Sequence, residues 1–133
     1  MNIVINFEIA KLLKEKGFER NVGYSKPYYN HLGELNGDVT EYVRAQIHDE
    51  DTTPFETTPA PTIVEVVMWL YEKHGIWIFS DRTNKWFWTI EKPNSEYIHQ
   101  EDLPLTEKSI YNGFDSPTEA YETAIEYTLN NLI

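Results

Sequence analysis

Residues 62–90 read TIVEVVMWLYEKHGIWIFSDRTNKWFWTI, and the change of hydrophobic period inside this stretch decides the fold. Its first half is a helix. Thr62 followed three residues later by Glu65 is a capping box, in which a hydroxyl and a carboxylate each satisfy a backbone amide. Pro59 and Pro61 set off the approach. Residues 63–71 are apolar on more than one face, which predicts the central, most buried helix of the molecule. Gly75 supplies the stop, and His74 sits in the last turn, where a cation beside unpaired carbonyls is favoured by about 0.3–1 kcal/mol.

After Gly75 the period becomes two. Residues 76–80 and 86–90 are β-branched and aromatic runs joined by residues 81–85, the pattern of a β-hairpin. Pairing the strands symmetrically about that five-residue loop places Ile76, Ile78, Trp86, Trp88 and Ile90 on one face and Trp77, Phe79 and Phe87 on the other. Both faces are therefore apolar, and a slip of one residue would exchange one strand's two sets.

Working outward, two more helices carry agreeing signals. Near the N-terminus Asn6 is a candidate cap for Ile9, Leu12 and Leu13, with Lys11, Lys14 and Glu15 on the outer face. Gly17 ends that helix in a left-handed conformation, which lets Phe18 cover Leu13. Near the C-terminus Ser116, Pro117 and Glu119 combine a capping box with proline at the first helical position, where a missing amide costs nothing. That helix is expected to run almost to Ile133, with Tyr121, Ala124, Ile125, Thr128 and Leu132 on its buried stripe.

The intervening segments are less patterned. Residues 22–30 read as a strand that Pro27 pushes toward a sheet edge. Residues 38–47 fit a helix after Asp38 and Glu41, and fit a strand through the alternation of Val43, Ala45 and Ile47; a strand is favoured because the sheet otherwise has too few members. Residues 48–61 are acidic and rich in Thr and Pro, an exposed connection, and residues 92–111 form a second irregular stretch with room for a short strand. The predicted architecture is α+β: three helices packed on a small antiparallel sheet, in the order α-β(-β)-α-β-β-α.

A chain of 133 residues matches one domain, 1–133, that buries roughly 68% of its unfolded surface without disulfides or metal. It has no cysteine, so no thiol chemistry and no thiolate zinc site are available, which suits a cytoplasmic setting. No secretory signal is expected at residues 1–7, and the longest apolar run falls short of the ~20 residues that span a bilayer. With 22 Asp and Glu against 11 Lys and Arg, the formal net charge is −11. Such a surface repels phosphate backbones and anionic membranes, so neither nucleic acid nor membrane is an expected partner.

Catalytic patterns do not emerge. His48, Asp49, Glu50 and Asp51 resemble a hard-cation ligand set, but consecutive side chains diverge and a loop must be ordered before it binds, so a solvated acidic loop is the better reading. The histidines, His31, His48, His74 and His99, are scattered, and no H-E-x-x-H, G-x-S-x-G or phosphate-loop pattern occurs. No catalytic residue, cofactor or metal is therefore expected. The distinctive feature is aromatic: Trp69, Trp77, Trp86 and Trp88 fall close together with Phe79 and Phe87 among them. Either they fill the core, or the second hairpin face, carried by Trp77, Phe79 and Phe87, stays partly open as a protein-binding surface.

Residues 9–18 (IAKLLKEKGF), 60–78 (APTIVEVVMWLYEKHGIWI) and 114–133 (FDSPTEAYETAIEYTLNNLI) resemble segments of small uncharacterised proteins from gut Bacteroidetes genomes, often carried in prophages or other mobile elements. The resemblance covers about half the chain, chiefly its helices, and implies a bacterial or phage cytoplasmic setting and an accessory, partner-binding role. It supplies no activity, cofactor or catalytic residue. The leading expectation is a small non-catalytic accessory or regulatory protein that binds another protein or itself. The alternatives are an enzyme or small-ligand binder whose site assembles only in the fold, and an acidic DNA mimic that inhibits a nucleic-acid-binding protein.

Overall fold

A computed structural model of the chain describes residues 3–18, 27–36, 58–103 and 113–133. The class is α+β: among the described residues there are three α-helices and two three-stranded antiparallel sheets. These divide between two compact units, Val4–Pro61 and a second made of Met1–Ile3 with Thr62–Ile133. The strands thus form two sheets where the sequence predicts one. No helix of the described residues is long and apolar enough to cross a membrane.

In the first unit, helix α1 (Phe7–Glu15) starts where Asn6 accepts a hydrogen bond from the Ile9 amide at 2.9 Å. It ends as expected, with Gly17 at φ 90° and the Phe18 amide donating to the Leu13 carbonyl at 2.9 Å. Its inner side buries Ile9, Ala10 and Leu13. The sheet of this unit has the order β2-β1-β3, with β1 (Tyr28–Tyr29) in the middle, β2 (Leu35–Asn36) on one side and β3 (Thr58–Pro59) on the other. The expected edge strand is therefore central. Pro27 stands just outside the pairing, where its missing amide is not needed and its carbonyl accepts from the Ala60 amide. Tyr28 and Tyr29 are buried, and the Tyr29 hydroxyl donates to the Ile5 carbonyl at 2.6 Å. The end of the segment expected to be an exposed connection is instead paired, with Thr58 buried and Pro59 on an edge strand. The readings made of residues 38–47 and of the His48–Asp51 cluster lie outside the described residues.

In the second unit, helix α2 (Ile63–His74) begins with Thr62 accepting from the Glu65 amide at 3.2 Å and ends at Gly75 with φ 67°. Helix α3 (Pro117–Asn131) begins with Ser116 accepting from the Glu119 amide at 3.2 Å, with Pro117 in the first turn. Between them lies the sheet β4 (Trp77–Arg82), β5 (Trp86–Glu91) and β6 (Tyr97–His99), in that order and antiparallel throughout, followed by a 3-10 turn (Gln100–Asp102). Helix α3 packs on β4 and β5, where Tyr127 meets the Trp88 ring at 5.6 Å, and α2 packs against α3 and β4.

Two helix expectations need correction. Helix α2 is not the most enclosed helix: it buries Ile63, Val66, Val67 and Leu70, but Val64, Met68 and Tyr71 are exposed, because among the described residues of this unit α3 and β4 pack on its other side. The buried stripe of α3 is Ala120, Ala124, Ile125, Thr128 and Leu129. Tyr121 and Leu132, expected on that stripe, are half-buried at its borders, because the helix is rotated to bring its small residues against the sheet.

Candidate functional site

The faces of the hairpin follow from its register. Ser80 stands opposite Trp88, Ile78 opposite Ile90, and Arg82 opposite Trp86. This pairing is displaced by two residues from the symmetric one, and the loop between the strands is shorter than expected. A shift of two preserves the alternation of side chains. Ile76, Ile78, Trp88 and Ile90 are accordingly buried on the face that α3 covers, whereas Trp86, expected with them and of the same parity, is only half-buried at the hairpin end opposite Arg82; Trp77, Phe79 and Phe87 occupy the opposite face, each half-buried.

Strand β6 widens that second face into an array that the hairpin alone does not reveal. Across the three strands Trp77, Glu91 and Tyr97 form one row, and Phe79, Thr89 and His99 form the next. Phe87 lies beyond them with Asp81 opposite it on β4. Tyr97 and His99, two residues apart on one strand, stack at 6.2 Å with an interplanar angle of 10°, and Thr89 Oγ1 lies 3.2 Å from His99 Nδ1. Tyr97 is 54% exposed.

The short side chain of Thr89 at the centre of these larger rings leaves a depression. It is an open groove of about 510 Å³ lined by Phe79, Phe87, Tyr97 and His99, by Thr83 and Thr89, and by the carboxylates of Asp81 and Glu101. Neither lysine nor arginine lines it among the described residues. At the Trp77 end a second recess of about 570 Å³ lies between Met68, Tyr71, Gly75, Trp77, Glu91, Lys92 and Pro93. There Tyr71 and Trp77 meet edge to face at 5.5 Å, so the exposed apolar side of α2 continues into the sheet face.

Two features hold the array in place. Gly113, at φ 68°, lies so close to Phe87 that a Cβ there would come within 2.9 Å of the ring tip and 2.6 Å of Lys85 Cβ. The backbone thus passes over Phe87 only because Gly113 has no side chain and tolerates the left-handed region. Lys85, the cation next to Phe87, is drawn to Asp115 in an ion pair. The second feature is how β5 satisfies its far edge. The Lys92 backbone amide donates to the Glu96 carbonyl at 2.8 Å, and Ile90 pairs with Ile98. Further along, the Trp88 amide donates to Gln100 Oε1 at 3.1 Å, and Trp86 forms a bridge with Phe114 at 2.9 and 2.8 Å. Gln100 is fully buried. Its side chain replaces a strand backbone at the one position between β6 and Phe114, which leaves the outward face unbroken from Trp77 to Phe87.

The first unit carries a different recess, about 540 Å³, lined by Phe7, Lys11, Lys14, Glu15, Asn30, His31 and Thr58. Its charges are mixed, and Lys11 is already engaged with Glu8 at 3.1 Å and over the Phe7 ring at 4.7 Å. His31 is exposed, and His74 packs its ring on Trp69 at 5.0 Å. Among the described residues no group of three His, Cys, Asp or Glu side chains is placed to hold a metal ion. The three residues singled out from the sequence, Trp77, Phe79 and Phe87, thus share one sheet face. Tyr97, His99 and Glu101 were missed, because β6 has no alternating apolar pattern and its side chains join the face only through pairing with β5. No family model, curated protein or solved structure matches the chain.

Proposed function

We propose that this is a small non-catalytic accessory or regulatory protein that works by binding another protein or a second copy of itself, and that the face of Trp77, Phe79, Phe87 and Tyr97 is its docking surface. The observation that carries this reading is the half-exposed aromatic array on the side of the sheet away from α3. Large rings left at a surface gain most when a partner removes them from water, and aromatic residues are favoured anchors at the centre of interfaces. The exposed side of α2 extends the same apolar area through Tyr71 and Trp77. A bacterial or phage cytoplasmic setting belongs to the same proposal and rests on the sequence resemblance. The acidic residues of this face, Asp81, Glu91 and Glu101, are interleaved with rings, an arrangement better suited to a protein surface than to mimicry of phosphate rows.

The test compares wild type with Phe79→Ser/Phe87→Ser by light scattering over a range of concentrations and by quantitative affinity capture from bacterial lysate. The wild type is expected to associate with itself or to enrich a defined protein, and the double variant, shown to be folded by circular dichroism, to lose that association. A wild type that stays monomeric and enriches nothing, or a variant that behaves identically, removes the proposal.

A further inference from the structure

We infer that the groove over Phe87 and Thr89 receives a cationic side chain, arginine or lysine, from a basic segment of the partner protein. This rests on the docking reading above and adds the chemistry of the occupant. The lining joins two elements that favour the same charge. Three phenyl and phenol rings, Phe79, Phe87 and Tyr97, stand with the His99 imidazole around a small central residue, and among the described residues the charged side chains that line the groove are the carboxylates of Asp81 and Glu101. An aromatic face attracts a cation through its negative quadrupole, more so when the cation is partly removed from water. Asp81 is the residue paired with Phe87, so a cation resting on that ring lies within reach of a carboxylate.

The competing cation, Lys85, sits beside Phe87 but is committed to Asp115, outside the lining. The formal charge of −11 draws basic segments toward the surface and raises their encounter rate. The same charge decides between candidate occupants: a second copy of this chain would bring like charge to an acidic groove, whereas a basic partner meets complementary potential.

The full chain is titrated with a fluorescently labelled peptide of alternating arginine and threonine, and with its citrulline counterpart, which keeps the shape and loses the charge. Anisotropy gives the affinity, and amide chemical shifts locate the site. The expected result is saturable binding at about 0.15 M salt, shifts centred on Phe79, Phe87, Thr89 and His99, and affinity roughly tenfold weaker for the citrulline peptide. Phe87→Leu, which keeps the net charge, is expected to weaken binding roughly fivefold. Asp81→Asn/Glu101→Gln, which alters only exposed side chains, is expected to weaken it and flatten its salt dependence. Shifts scattered over the acidic surface with Phe87→Leu unaffected would show diffuse charge attraction and overturn the inference. Equal binding of the citrulline peptide at this face would overturn the inference while leaving the docking function standing. If neither peptide binds and the wild type neither self-associates nor captures a protein, both fall.

Discussion

The two faces of the β4-β5-β6 sheet are made from the same strands and both carry large apolar side chains, yet they have opposite fates. Ile78, Trp88 and Ile90 lie at 1% exposure or less under α3, while Trp77, Phe79 and Phe87 remain half-buried and Tyr97 is largely exposed. The outer face also carries Asp81, Thr89, Glu91 and His99, but the presence of large rings alone does not separate the two. The difference lies in what the chain places on each side. Tyr127, Ala124 and Thr128 of α3 are on the inner side with Trp88, and no described helix of this unit is packed over Thr89 and Phe87. Along the part of the strands that α3 covers, an aromatic residue is therefore core or surface according to its parity, and the cost of truncating it should follow parity there; Trp86, of inner parity but at the hairpin end, is half-buried.

The largest effect expected from that contrast is Trp88→Ala. A fully buried tryptophan whose ring meets that of Tyr127 should cost about 3–5 kcal/mol when truncated, read as a drop in the urea midpoint; a loss near that of an outer-face residue would break the distinction. Gly113→Ala comes next. A left-handed alanine costs about 1–3 kcal/mol, and overlap with Phe87 and Lys85 adds to it, so both a lower melting temperature and shifted Phe87 ring resonances are expected. Gln100→Leu keeps the volume but leaves the Trp88 amide without its acceptor, a loss of about 1–3 kcal/mol, with faster hydrogen exchange at Trp88. Smallest in stability is Phe79→Ser, whose destabilisation should be a minor fraction of that of Trp88→Ala while its effect on association is the greater of the two. A reversal of that order, with Phe79→Ser unfolding the protein, would show the outer face to be structural.

The helix ends of both units, and much of the rest of the second, are legible in local chemistry. Thr62, Ser116 and Asn6 cap helices because each sets a side-chain acceptor beside otherwise unpaired amides, and Gly17 and Gly75 stop them because each residue there must turn left-handed. The hairpin's two faces are legible even though its register is not, since a displacement by two residues leaves every side chain on its own side. The first unit is harder to read. Tyr28 and Tyr29 become a central strand by pairing with Leu35 and Asn36 on one side and with Thr58 and Pro59, thirty residues along the chain, on the other. A two-residue strand has no period to detect, so nothing nearby announces this.

Helix ends, the period change after Gly75 and the two-sided apolar character of 76–90 are properties of neighbouring residues, and the order of the amino acids settles them unaided. Three things depend instead on residues distant in the chain. Gln100 takes the place of a strand beside Trp88, Gly113 makes room for Phe87, and Tyr97, His99 and Glu101 complete the groove around Thr89. Each is a contact that exists only after β5 has found its second neighbour. Non-local pairing of that kind leaves no mark on local periodicity, which is why the aromatic strip could be read from the sequence and the acidic groove that it helps to form could not.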